Sequence, residues 1–218
     1  MKIAILFRGP VRPQPASVVD RYREFMSQFQ GAQGVEIHTY LATWRTWKQY
    51  KAADILSLDL FDNVIMQTAP TDEHRRRCTG LTHLHNGASI EPVFNMYYQS
   101  KTALDLIVRA DTYSYIVHSR TDLRMIMGQF INEWFDPDHY VSPHIHTVPN
   151  SWMCDQFGVA TGEKMHTAWD YGDIENLGKM IEAADIPERI LEMMIEKASI
   201  KVKAGNHDAW QLDPNRNA

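Results

Sequence analysis

The sequence predicts an α/β chain with a mixed, mostly parallel central sheet flanked by helices, and three observations predict it. Residues 2–7 form a short continuous apolar run, the mark of a parallel strand buried on both faces. A helical repeat and a second strand-like run at 35–41 follow, which makes a β-loop-α-β opening. Further on, residues 113–117 are dense in aromatic and β-branched types, and the character then changes within one residue to His118-Ser119-Arg120-Thr121-Asp122. Open α/β sheets build ligand sites where a hydrophobic strand delivers polar groups at its C-terminal end. The alternative is a strand followed by a solvated turn closed by an Arg–Asp ion pair.

The elements follow in order. The first strand ends at Arg8-Gly9, where Pro10, Pro13 and Pro15 stiffen the loop and Arg8 and Arg12 are offered four residues apart. Ser17 can cap a helix to about residue 29, with Val18, Tyr22, Phe25, Met26 and Phe29 inward. Strand 35–41 carries His38 and Thr39 and leads to Trp44 and Trp47. This Rossmann-like half lacks the Gly-x-Gly-x-x-Gly fingerprint, which speaks against a dinucleotide-dependent oxidoreductase. A third strand is expected at 63–67. Residues 68–88 show no periodicity and read as a long polar loop; His83 and His85 would share a strand face, but nothing nearby completes a metal set.

Ser89 and Pro92 open a helix to about residue 109, whose core face is Val93, Met96, Tyr97, Leu104, Ile107 and Val108. Gln99, Ser100 and Lys101 interrupt its apolar material. It feeds the strand at 113 in the manner of a right-handed crossover. A helix near 129–135, a short strand at Tyr140 and Val141, and an irregular stretch at 142–153 with His144, His146 and Trp152 come next. Residues 154–160 are a second apolar segment that carries Asp155. Thr161 opens a helix with Met165 and Trp169 inward. Asp185, Pro187 and Glu188 mark the start of another helix, running to about 198, and a last strand at 199–203 precedes Gly205-Asn206-His207-Asp208.

Composition narrows the function. The length of 218 residues suits one domain, expected over 1–212 with a polar tail at 213–218. Net charge is −5 and the 22 Lys and Arg are scattered apart from Arg75-Arg76-Arg77, so a nucleic-acid backbone, which needs a basic face, is not the favoured partner. A basic pocket for a phosphorylated small molecule stays open. Cys78 and Cys154 lie far apart and fit no zinc spacing, which points to a reduced, cytoplasmic chain. The N-terminal apolar run is too short for a signal peptide, and no stretch approaches the ~20 apolar residues of a membrane span.

Several short motifs occur in one order: Arg8-Gly9, His38-Thr39 with Trp44, Tyr98-Gln99-Ser100-Lys101, Tyr115-x-Val117-x-x-Arg120-Thr121-Asp122-Leu123, Asp155-Gln156-Phe157-Gly158, and Pro187-Glu188-Arg189-Ile190-Leu191. That order resembles the small GT-A-like glycosyltransferase proteins of surface-polysaccharide loci and of some large viruses and phages. The resemblance implies a GT-A-like fold, a nucleotide-sugar donor, and a glycan or other hydroxyl acceptor. In such enzymes an Asp-x-Asp at the end of a central strand holds Mn²⁺ or Mg²⁺ against the donor diphosphate, where a hard cation stabilises the charge of the leaving group.

Here the matching tripeptide is Arg120-Thr121-Asp122, so one carboxylate is replaced by arginine. Two readings follow. Asp122 can ligate the metal with His207 or Asp208, which is the expectation taken, or Arg120 with Arg8 or Arg12 neutralises the diphosphate directly. The resemblance also implies donor contacts from Arg8, Gly9, Arg12, Arg120 and Lys101. It places Asp155 where it can deprotonate the acceptor hydroxyl, with capping of nearby amides as the competing role. Trp44 and Trp152 are candidates for stacking on sugar rings. The rival functions are a non-catalytic nucleotide- or sugar-binding protein on the same fold and, third, a metal-dependent hydrolase that uses the histidines.

Overall fold

In the computed structural model, the described residues are 1–9, 15–29, 33–47, 50–51, 59–68, 70, 72–125, 131–143, 153–205 and 210–212. The chain runs β1 (Lys2–Arg8), α1 (Pro15–Ser27), β2 (Glu36–Trp44), β3 (Thr46–Trp47), β4 (Tyr50–Lys51), β5 (Asn63–Gln67), α2 (Asp72–Cys78) and α3 (Ile90–Ala110). It continues through β6 (Tyr115–Arg120), β7 (Leu123–Met125), α4 (Ile131–Trp134), β8 (Tyr140–Ser142), β9 (Phe157–Ala160), α5 (Gly162–Ala168), α6 (Ile174–Ala183), α7 (Pro187–Lys197), β10 (Val202–Ala204) and β11 (Trp210–Leu212).

Seven strands form one sheet in the order β10-β8-β9-β6-β1-β2-β5. β9 is antiparallel to β6 and β8, and every other neighbouring pair is parallel. This is the mixed, mostly parallel, helix-flanked sheet that the sequence predicts. β3 with β4, and β7 with β11, form two small antiparallel pairs.

β1 is central because its residues are apolar on both faces. Ile3, Ile5 and Phe7 belong to one core cluster with Phe25 of α1, and with Phe29 just beyond it. Ala4 and Leu6 belong to the other, with Val93, Phe94, Tyr97, Leu104 and Ile107 of α3. The period of two along the strand thus feeds two separate cores. Each fully buried Phe or Leu contributes about 1.5–3 kcal/mol relative to exposure.

The chain builds outward from β1 in one direction through β2 and β5, then crosses by α3 to β6 on the other side. The first two crossovers and the third therefore diverge at the C-terminal ends of β1 and β6. At such a switch point the loops part and leave a crevice.

Two expectations need correction. Residues 68–88 are not one long loop: they hold α2, whose polar composition hides its packing against α6. Gly178 of α6 permits that contact, since a Cβ there would lie 1.7 Å from the Cys78 carbonyl oxygen. The helix opened at Thr161 ends at Ala168, and a further helix not expected from the sequence follows it, α6, which Asp173 caps by accepting from the Asn176 amide. Among the described residues no helix is long and apolar enough to cross a membrane.

Candidate active site

The crevice between β1 and β6 is a pocket of about 460 Å³. Strand ends supply Arg8, Gly9, Trp44, Arg120, Thr121 and Asp122, and the loop before β9 supplies Asp155 and Gln156. The first turns of α3 and α7 form its wall, with Glu91, Pro92, Pro187 and Glu188. Backbone hydrogen bonds fix the floor: Gly9 N–H to Ala42, Thr121 N–H to Arg8, and Arg120 N–H to Gln156, at 3.0, 3.0 and 3.1 Å. Gly9 turns the chain with φ at 111°, a conformation that other residues rarely adopt.

Arg8 lies beneath the pocket. Its Nε donates to His118 Nε2 at 2.9 Å, an Nη donates to the Asp155 carbonyl, and the guanidinium stands 5.5 Å from the Trp169 ring. Burial pulls its pKa down to about 10 even though Asp155 favours the charge. The same burial, with Arg8 beside it, holds His118 well below the ordinary histidine range. The imidazole is therefore neutral and accepts at Nε2, which leaves its proton on Nδ1. The Ser100 hydroxyl lies 3.2 Å from the same Nε2.

Arg120 is Arg8's register partner on the neighbouring strand. Its Nε and an Nη donate to the two oxygens of Asp122 at 2.7 and 2.5 Å. Asp122's side chain is 3% exposed against 22% for Arg120, so the carboxylate is sunk and the guanidinium opens to the pocket. Burial is the largest influence and opposes the Arg120 charge, but the bond to Asp122 together with the charges of Asp122 and Asp155 outweighs it and the pKa is raised.

Asp155 is buried, and its pKa is raised by that burial against the pull of Arg8 and Arg120. Glu188 is half-buried in the same pocket, and burial plus Asp155 raise it as well. Two carboxyl groups that favour their protons thus share a pocket with two arginines. Gln99 is buried, and neither its Nε2 nor the Oε1 of Gln156 has a hydrogen-bond partner.

The sequence reading is sorted by this geometry. Arg8, Gly9, Arg120, Asp122, Asp155 and Trp44 come together. Lys101 does not: it pairs with Asp105 at 3.3 Å and Asp170 at 2.8 Å, outside the pocket lining. The 100° turn between neighbouring helical residues sends Gln99 and Ser100 inward and Lys101 away. Arg12, Trp152, His207 and Asp208 lie outside the described residues, as do His144 and His146. His83 and His85 are exposed.

Neither Glu188 nor Gln99 is among the expected site residues: beyond their places in the ordered motifs, the sequence offers a helix-start glutamate and an interruption of an apolar face. The second was the legible signal, since a polar residue inside an apolar face asks for a partner. As for Mn²⁺ or Mg²⁺, Asp122 is the one expected ligand among the described residues, and Arg120 takes both its oxygens. No group of three or more His, Cys, Asp or Glu among the described residues is arranged to hold an ion. The described residues do not fit a metal.

No family model matches the sequence, and no curated protein matches it. Among solved structures it is similar to β1,4-galactosyltransferase 7 of Drosophila, in a mutant complexed with manganese, UDP-Gal and xylobiose. The identity is 13% and the TM-score 0.46, over 99% of this chain and 71% of that one. It is also similar to the catalytic domain of the same Drosophila enzyme with xylobiose, at 12% identity and a TM-score of 0.45, over 100% of this chain and 71% of that one.

Proposed function

We propose that the chain is a glycosyltransferase of the small GT-A-like kind, moving a sugar from a nucleotide donor to a hydroxyl on a glycan or other acceptor. The observation that carries the proposal is the convergence of Arg120, Asp155 and Glu188 in one pocket at the switch point of the sheet. The donor lies across the ends of β1 and β6, with its diphosphate toward Arg120.

In the transfer step the acceptor hydroxyl oxygen bonds to the anomeric carbon. The bond from that carbon to the phosphate oxygen breaks, and its electron pair leaves with the nucleoside diphosphate. The hydroxyl proton passes to Asp155. A carboxylate with a raised pKa is the stronger base, and its burial beside the acceptor keeps water from competing. Glu188 accepts hydrogen bonds from the acceptor's other hydroxyls, and Trp44 supports a sugar face.

The test is release of nucleoside diphosphate from a panel of nucleotide-sugars, read by mass spectrometry with mixed glycan acceptors. At least one donor is expected to turn over. Nucleotide binding with neither transfer nor donor hydrolysis supports the non-catalytic reading instead.

A further inference from the structure

Resting on the donor reading above, we propose that Arg120 is the cation that meets the donor's diphosphate, with Asp122 as the carboxylate that positions it, so that donor binding needs no divalent ion. The tripeptide has arginine where a metal site would have its first acid, and the geometry gives that exchange a consequence. Both oxygens of Asp122 face one guanidinium in a two-pronged contact. An ion placed on the same carboxylate would sit beside that fixed positive charge, and the two would repel.

The guanidinium keeps donors for a ligand. Of its five N–H bonds two serve Asp122, and the planar fork holds the rest in a fixed direction. Asp122 is sunk and Arg120 borders the cavity, so the remaining donors belong to the accessible partner of the pair. A second neutral donor is at hand in Gln99, whose unpartnered amide nitrogen is buried in a residue that lines the same cavity. Such a nitrogen costs free energy until something accepts from it.

A phosphate group matches both donors: several acceptor oxygens, negative charge, and a size suited to a guanidinium and an amide together.

The experiment is titration calorimetry of the whole chain with UDP, GDP and ADP, in chelator and in Mn²⁺. The preferred nucleotide is expected to bind with the same affinity, within about twofold, in both. Arg120→Gln should weaken it roughly 10- to 100-fold, the scale of hydrogen bonds to a charged group. Gln99→Leu should weaken it by a smaller factor.

Because Arg120→Gln removes the guanidinium bonded to the buried Asp122 carboxylate, the double variant Arg120→Gln with Asp122→Asn is made alongside. Its two amides can pair, and it too must lose affinity. Binding that appears only with Mn²⁺ and is lost in Asp122→Asn overturns the inference while leaving the donor reading in place. Wild-type affinity in the folded double variant overturns it as well. Absence of binding to all three nucleotides in both buffers overturns the inference and the donor reading together.

Discussion

Arg8 and Arg120 occupy matching positions on adjacent parallel strands, yet the two strand ends serve different purposes. At the end of β1 the arginine is 4% exposed, tied to His118 and to a backbone carbonyl, and its charge is disfavoured by burial. At the end of β6 the arginine borders the pocket, paired with a carboxylate that supports its charge. One register thus yields a floor and a rim. Residue type alone does not separate them; the surroundings do. Trp169 and His118 close over Arg8, with Ser100 against the same imidazole, whereas next to Arg120 the diverging crossovers leave open space.

The largest expected effect sharpens the functional side of this contrast. Asp155→Asn removes the proposed base and should lower the transfer rate by roughly 10²–10⁴-fold. It should not lower stability. The Asp155 pKa is raised in the fold, so the folded chain binds that proton more readily than the unfolded chain does. Its contribution is most favourable below the ordinary carboxyl value of about 3.9 and is lost as pH rises through the raised value. The Asn variant has no such loss. Its melting temperature should equal or exceed wild type at pH 8, with the difference vanishing below about pH 4. A rate loss matched by a stability loss at pH 8 would place Asp155 with the floor.

Arg8→Ala should act the other way. It leaves Asp155 buried with one cation fewer and strips the donor from His118, at a cost of about 3–5 kcal/mol in urea unfolding. If the variant keeps its stability and loses only nucleotide affinity, Arg8 belongs to the rim. The smallest effect is Ser100→Ala, which removes one neutral hydroxyl contact beneath the pocket. It should cost about 1 kcal/mol of stability and leave the transfer rate unchanged.

The fold was legible where periodicity was strong. β1, α3 and β6 carry continuous apolar runs or a clean helical repeat, and their order fixes the switch point. α2 escaped because its exposed polar residues, Arg76 and Arg77 among them, outnumber the buried Cys78. α6 has no counterpart in the sequence reading, which places no element between the helix at Thr161 and the one at Asp185. The site was half legible: Arg8, Arg120, Asp122 and Asp155 stand next to strands and were named from that position. Glu188 was not, since a glutamate in a first turn has a sufficient local explanation as a helix-start residue. Lys101 does not join the site because its position on α3 turns its charge toward Asp105 and Asp170 and not toward the pocket, which residue type alone does not reveal. Whether a charged group at a strand end is buried or presented depends on helices far away in sequence, which no local pattern records.

The most direct test of the central claim, that the pocket between β1 and β6 is the nucleotide site, is an amide NMR titration of the isotope-labelled chain with UDP, GDP and ADP. The account predicts that one of them shifts Gly9, Thr121, Gln156 and the first turn of α3 ahead of all other amides, and that these shifts shrink in Arg120→Gln. Shifts centred on another face of the sheet, with Gly9 and Thr121 unmoved, would contradict it.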